Sequence, residues 1–250
     1  MEQEYFRKRL EELAAQSYST NRFIFTDFLS EAEQSDALML TEELRAAGLT
    51  FYGGYDEATR RMLRFGDPDA LGYEEPFPIR IVQIEPLQRK FADTFTHRDY
   101  LGAILNLGID RKVTGDILTD GTTGYLFCEE TIAPFILENL QKVKHTNVRC
   151  ALADEVPDNL KPVLVPTEIQ ISSERADAVI AHICNLSRSE AQDLFRQQHV
   201  FINGRAAAHP DDTPKPGDTI SVRGHGRWRY DGPVRNTRKG KICVQVSKYQ

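Results

Sequence analysis

The apolar positions of the last third of the chain change period once. In SSERADAVIAHICN, Ala176, Val179, Ile180 and Ile183 recur at i, i+3, i+4 and i+7, one stripe of a short helix. A second helix begins within three residues in LSRSEAQDLF. Ser187 stands at its N-cap, Glu190 completes an S-x-x-E capping box, and Ala191, Leu194 and Phe195 point inward. The period then falls to two. Val200 and Ile202 mark a strand, Asn203-Gly204 a turn, Lys215-Pro216-Gly217-Asp218 a connection, and Ile220 and Val222 a second strand.

Earlier segments divide into two further blocks. In residues 78–156, IRIVQIEP alternates as a strand and HRDYLGAILNLG is a helix closed by Gly108. GDILTDGTTGYLFC is two strands around a DG turn, ETIAPFILENLQKV is a helix and NVRCALAD a final strand. That βαββαβ order is the ferredoxin-like plan shared by RNA-recognition-motif domains. Tyr125 and Phe127 fall on one face of an inner strand, where such a domain stacks bases. They lack the full basic-glycine-aromatic signature, so core packing is the reading for them. Residues 1–77 begin with a charged amphipathic helix, Glu2 to Tyr18. A second helix runs from Ser30 through Leu38, Leu40 and Leu44 to Gly48, and a hairpin of LTFYGG and ATRRMLRFG follows. VPDNLKPVLVP, with three prolines, is a linker over 157–167. The fold class is therefore α+β: an N-terminal domain (1–77), a central ferredoxin-like domain (78–156), the linker, and a small α+β domain with a basic extension (168–250).

Charge sharpens this division. The 250 residues carry a net charge of -6, but from Gln170 onward 13 basic residues face 8 acidic ones, so residues 1–169 carry -11. From Arg223 to the end there are 8 basic residues and one acid, interleaved with Trp228, Tyr230 and Tyr249. Basic charge beside aromatics suits phosphate contact and base stacking. The start, MEQEYFRKRL, is no signal or transit peptide and no apolar run approaches the roughly 20 residues of a membrane helix, so a cytoplasmic, membrane-free protein is expected. Cys128, Cys150, Cys184 and Cys243 form no CxxC pair and read as small apolar residues.

Candidate chemistry narrows quickly. Gly53-Gly54 is followed by no GK[ST] and reads as a turn. Asp99, Asp116 and Asp120 have no His or second acid at ligand spacing, so no metal site and no catalytic residue is expected. Arg188 is different. It occupies the first helical position behind Ser187, with Gln192 and Arg196 at four-residue steps along the border of the apolar stripe. A helix start offers amides and partial positive charge, and an Arg added there makes an anion site.

Arg175, Asp177, Ser187-Arg188, Ala191, V-x-I-N-G ending at Gly204 and P-G-D-x-I-x-V ending at Val222 together resemble the small RNA-binding domain named after the fourth protein of the small ribosomal subunit. Carried over by position, that resemblance implies an RNA-facing surface of Arg175, Ser187, Arg188, Gln192, Asn203, Arg205 and Lys215, with Arg223, Arg227 and Arg229 of the basic tail extending it. YLGAILNLGIDRKVTGDILTDGTTGYLF, ISVRGHGRWRY and RKGKICVQVSKYQ are similar to the bacterial YlmH family, and TDFLSEAEQ is a looser match. The resemblance implies a non-enzymatic RNA-binding protein whose partners are ribosomal RNA and tRNA. It further implies a place on the large ribosomal subunit in rescue of stalled translation and, in some bacteria, a link to cell division. No cofactor is implied. The competing readings are an RNA-modifying enzyme and a protein adaptor. The enzyme lacks synthetase, methyltransferase and pseudouridine-synthase signatures here; the adaptor would bind a protein partner through the acidic N-terminal half.

Overall fold

The computed structural model describes residues 2–39, 48–237 and 240–250. It divides into two compact units, Met1–Lys161 and Pro162–Gln250. The boundary falls inside the proline-rich stretch, whereas the two blocks read as separate domains over 1–77 and 78–156 share the first unit.

In that unit, α1 (Glu2–Thr20) lays Leu10, Leu13 and Ala14 on Leu63 and Phe65. Helix α2 (Glu31–Leu38) starts at a capping box: the Glu33 N–H donates to Ser30 Oγ at 3.3 Å and the Ser30 N–H to the Glu33 carboxylate at 2.7 Å. The expected continuation of this helix through Leu40 and Leu44 lies outside the described residues. Strands β1 (Ile24–Phe25), β2 (Leu49–Tyr52) and β3 (Met62–Phe65) form an antiparallel sheet in the order β1-β3-β2, with β2 and β3 in the predicted hairpin. A one-turn helix, α3 (Pro68–Leu71), follows.

The central elements are β4 (Ile79–Pro86), α4 (His97–Leu105), β5 (Thr114–Thr119), β6 (Gly124–Glu129), α5 (Ala133–Asn139), β7 (Lys142–Val143) and β8 (Thr146–Ala153), with antiparallel sheet order β5-β6-β4-β8-β7. This is the expected βαββαβ plan with one strand added. The helix read through Val143 stops at Asn139. Leu140 turns to extended backbone and is buried, and Lys142 and Val143 pair with Asn147 and Thr146 at the sheet edge.

Strand alternation gives this sheet two apolar faces. Val82, Ile84, Leu126 and Cys128 meet Tyr100, Ile104 and Ile136 of the helices. On the opposite face, Ile79, Ile81, Tyr125 and Phe127 are closed over by Phe28, Tyr55, Ala58 and Met62 from the first 77 residues, together with Val156. Phe127 is only 1% exposed, and its ring lies 5.2 Å from that of Tyr55. The approach is tight enough to require glycine. Gly54 has φ 100°, and a Cβ there would stand 2.2 Å from the Phe127 ring. The Gly53-Gly54 pair is thus a turn, as read, and also a packing surface.

A buried carboxylate fastens the two blocks. Asp116 of β5 accepts hydrogen bonds from the Tyr55 hydroxyl (2.8 Å), the Thr59 N–H (2.6 Å) and the Arg60 N–H (3.2 Å). The Arg60 guanidinium donates to the carbonyls of Thr114 (3.0 Å), Phe28 (2.6 Å) and Arg111 (3.2 Å). Burial lowers the pKa of Arg60, and that of Arg111 falls to about 10 through burial and the nearby Arg60 charge. Asp120 instead holds the hairpin turn, accepting from the Thr122 and Thr123 N–H groups. Asp99 closes the α4 capping box and pairs with Lys144 at 2.9 Å, contacts that bring its pKa down to about 2.

The second unit is one antiparallel sheet in the order β11-β10-β12-β13-β14-β9, with both helices on one face. Its elements are β9 (Leu164–Ile171), α6 (Ala176–Ile183), α7 (Arg188–Arg196), β10 (Val200–Ile202), β11 (Arg205–Ala206), β12 (Thr219–Val222), β13 (Gly226–Asn236) and β14 (Ile242–Tyr249). Two expectations change here. The stretch read as a linker contains a 3-10 turn, Asp158–Leu160, and then half of β9, where Pro166 is tolerated because β9 is an edge strand. The segment read as a basic extension supplies β13 and β14, inner strands whose Trp228, Tyr230, Val244 and Val246 build the core under the helices.

All four cysteines are free thiols; Cys128 and Cys243 are buried, and burial pushes the Cys128 thiol up to about 12. No helix among the described residues is long and apolar enough to cross a membrane.

Replacing Asp116 with Ala would leave three donors, the Tyr55 hydroxyl and the Thr59 and Arg60 N–H groups, facing a void. The expected loss in urea unfolding of the full chain is about 3 kcal/mol, roughly 1 kcal/mol or more for each buried donor left without its acceptor. A loss below about 1 kcal/mol would show that this carboxylate does not fasten the blocks.

Candidate nucleic-acid interface

The helix pair of the second unit places its polar residues around one carboxylate. Asp177, in the first turn of α6, is fully buried at its side chain. Arg175 donates to it through Nε (3.2 Å) and Nη2 (3.1 Å), and Arg188 at the start of α7 does the same at 3.2 and 3.3 Å. Gln192, one turn further along α7, adds Nε2 at 2.9 Å. Burial alone would raise the Asp177 pKa. The hydrogen bonds from Arg175, Gln192 and Arg188 outweigh it and hold the carboxyl well below its ordinary range. Each guanidinium uses one edge for Asp177, and the arginine side chains remain 38% and 49% exposed. Their outer donors therefore form a fixed pair on a rigid base, a geometry suited to phosphate oxygens.

The helix termini contribute less to anion binding than the sequence suggested. At α6 the N–H groups of Ala176 and Asp177 donate to the carbonyls of Asp212 (2.8 Å) and Pro210 (2.9 Å). At α7 the predicted capping box forms, with the Glu190 N–H on Ser187 Oγ at 3.2 Å and the Ser187 N–H on the Glu190 carboxylate at 2.7 Å. That box sets a carboxylate of its own against the positive helix end. The capacity for phosphate therefore rests on the two guanidiniums, and Ser187 serves the cap. Arg196, noted on the same stripe, pairs with Asp193.

The other positions singled out by sequence fall elsewhere. Asn203 has φ 49° and lies in the β10–β11 turn. Its side chain donates to Asp218 at 2.8 Å and accepts the Thr219 N–H at 2.9 Å, so both ends of the amide brace the fold. Asp218 also accepts the Lys215 N–H at 2.7 Å, while the Lys215 side chain is exposed; Arg205 lies on β11. Arg227 and Arg229 alternate with the core residues Trp228 and Tyr230, so they belong to the sheet face away from the helices, in register with Ser221 and Thr219. There Arg227 lies over Tyr249 (4.3 Å to the ring centre), the exposed Arg223 beside Phe201 (5.8 Å), and Arg229 donates to Asp231 at 2.7 Å. The ten positions do not form one surface. Period-two alternation puts the three tail arginines apart from Arg175, Arg188 and Gln192.

What sequence reasoning missed was the organiser of the site. Asp177 stood in the motif without a role, although an acid two residues after Arg175 in the first turn of an apolar helix was a usable signal. Asp116 was missed for a different reason, since its donors come from residues 55–60, far away in sequence.

Residues 174–220 match the family described as "S4 domain", and residues 73–155 match the "Putative RNA-binding domain in YlmH". Fold and site together define a protein in which a ferredoxin-like domain precedes an S4 domain. A curated relative, "Ribosome-associated protein quality control protein P2" of Bacillus subtilis (strain 168), is 30% identical over 232 residues, spanning 91% of this chain and 88% of the relative. The solved structure of "Cell division protein ylmH from Streptococcus pneumoniae" is 21% identical with a TM-score of 0.46, covering 61% of this chain and 92% of that one. The chain belongs to the YlmH family.

The carboxylate of Asp177 also sets a pH dependence. Because its folded pKa is depressed, it adds stability that is fully present above its unfolded value of about 4 and is lost as pH falls below that. In Asp177→Asn this part of the acid limb is absent. Thermal midpoints of the two proteins should converge as pH falls from about 5 towards 2. A constant gap between them would show that Asp177 is not ionised within the cluster.

Proposed function

We propose that the chain is a non-enzymatic RNA-binding protein that docks on structured ribosomal RNA or tRNA, on the large ribosomal subunit during rescue of stalled translation. The observation that carries this reading is the pair of guanidiniums locked on buried Asp177 inside the S4 match. The curated relative's name supports the ribosomal setting. Two phosphate-directed arginines without convergent base-reading groups favour recognition of RNA shape, with affinity that falls steeply as salt rises. Arg175, Arg188 and Gln192 form the primary contact. Lys215, Arg205, Arg223, Arg227 and Arg229 act as secondary phosphate contacts where the RNA reaches them.

The variant that tests this must spare Asp177, because removing both arginines strands a buried carboxylate and confuses folding with binding. Arg175→Gln/Arg188→Gln offers amides in place of the guanidiniums, and a thermal midpoint close to that of the intact protein shows that the variant is folded before its binding is compared. In sucrose gradients at low salt, intact protein is expected to travel with large subunits and this variant to stay at the top. Against purified ribosomal RNA, its salt slope is expected to fall by about two, one for each phosphate contact. Co-sedimentation of the variant at wild-type levels would reject the site. Intact protein at the top of the gradient would reject the ribosomal reading.

A further inference from the structure

The first unit closes the face on which a domain of its plan would stack bases, since Phe127 lies under Tyr55 and Gly54 and Tyr125 belongs to the same apolar cluster. Yet residues 73–155 match a family described by RNA binding. Any RNA contact of this unit must therefore use another surface, and the helical side of the central sheet carries one. A groove of about 570 Å³ runs between α4, the end of α5 and β7. Three cations, Arg98, Lys142 and Lys144, and three amides, Asn106, Asn139 and Gln141, line it and are all solvent-exposed. Asp99 is the one acid among the lining residues.

Several details suit a ribose-phosphate backbone. Gly102 and Ala103 make part of the floor small, so a ligand's backbone can come close. Lys144 has φ 52° in the turn after β7, and Asp99 (2.9 Å) and the Thr94 carbonyl (3.3 Å) hold its ammonium in place. Asn139 donates to the Phe135 carbonyl, which leaves its Oδ1 as an acceptor for a hydroxyl. Side-chain amides both donate to phosphate oxygens and accept from 2′-hydroxyls, and lysine and arginine supply the charge. The surroundings add contrast: residues 1–161 hold 18 basic and 28 acidic residues, so a groove with three cations and one acid is a local exception.

We infer that the groove between α4, α5 and β7 is a second RNA contact, taking the ribose-phosphate backbone of a structured RNA through Arg98, Lys142 and Lys144. The inference rests on the RNA-binding reading proposed above, but it concerns a different unit and different residues. Its test uses the full chain and deproteinised ribosomal RNA as the probe. Arg98→Gln/Lys142→Gln removes two exposed charges and spares Lys144, which is tied to Asp99. Thermal midpoints confirm the fold, and Arg98→Lys/Lys142→Arg serves as the charge-preserving control. The charge-removing pair should weaken binding about 10-fold near 0.1 M salt and lower the salt slope by about two, with the control unchanged. Ultraviolet cross-linking should place nucleotide adducts on peptides covering residues 98–107 and 139–144.

Wild-type affinity and slope in the folded variant, with no adducts there, would overturn the groove and point to an acidic protein surface as its occupant. In that event a loss of binding by Arg175→Gln/Arg188→Gln would leave the S4 site standing. Failure of the wild-type chain to bind ribosomal RNA at all would instead bring down the RNA reading itself, and this inference with it.

Discussion

A carboxylate taken out of water must be surrounded by donors, and among the described residues this constraint is met by one buried aspartate in each unit, at a position on which much else depends. Asp116 gathers a tyrosine hydroxyl and two backbone amides beside the arginine that spans three carbonyls, which seats the first 77 residues on the central sheet. Asp177 gathers two guanidiniums and an amide, which joins the two helices of the S4 domain and aims the arginines. The same interaction thus closes a surface in one unit and builds one in the other.

Closing the central sheet has functional weight. A ferredoxin-like domain with aromatic residues on an inner strand invites the idea of base stacking, yet here that face is hydrophobic interior, packed closely enough to require glycine at residue 54. Stacking would require separating the blocks, at the cost of the Phe127 cluster and the Asp116 contacts together. Exposed cations on the helical side and edge strand of the central sheet stay accessible, and the short β7 hairpin brings Lys142 and Lys144 to Arg98.

In the S4 domain, preorganisation replaces charge count. A single arginine on a mobile side chain loses conformational entropy on meeting a phosphate. Two held by a buried carboxylate have lost most of it on folding. The local positive charge is reduced by Asp177, but what remains is directional.

Local periodicity and capping chemistry determined much of this protein from sequence alone. The stripe Ala176, Val179, Ile180 and Ile183, the boxes at Ser30 and Ser187, the Asn203-Gly204 turn and the βαββαβ order all depend on residues within a few positions of one another, and all are present. Where meaning depended on distant partners, the sequence was silent. It could not show that Leu164–Ile171 is a strand, because the pairing partner lies some 80 residues away in β14, nor that the basic tail forms inner strands. It placed Arg175, Arg188 and Gln192 on one surface, but the shared buried carboxylate that orients them, the opposite face of Arg227 and Arg229, and the burial of Phe127 were decided only by tertiary structure. Hydrogen bonds and faces of a sheet are properties of neighbours in space, and a linear pattern records only neighbours along the chain.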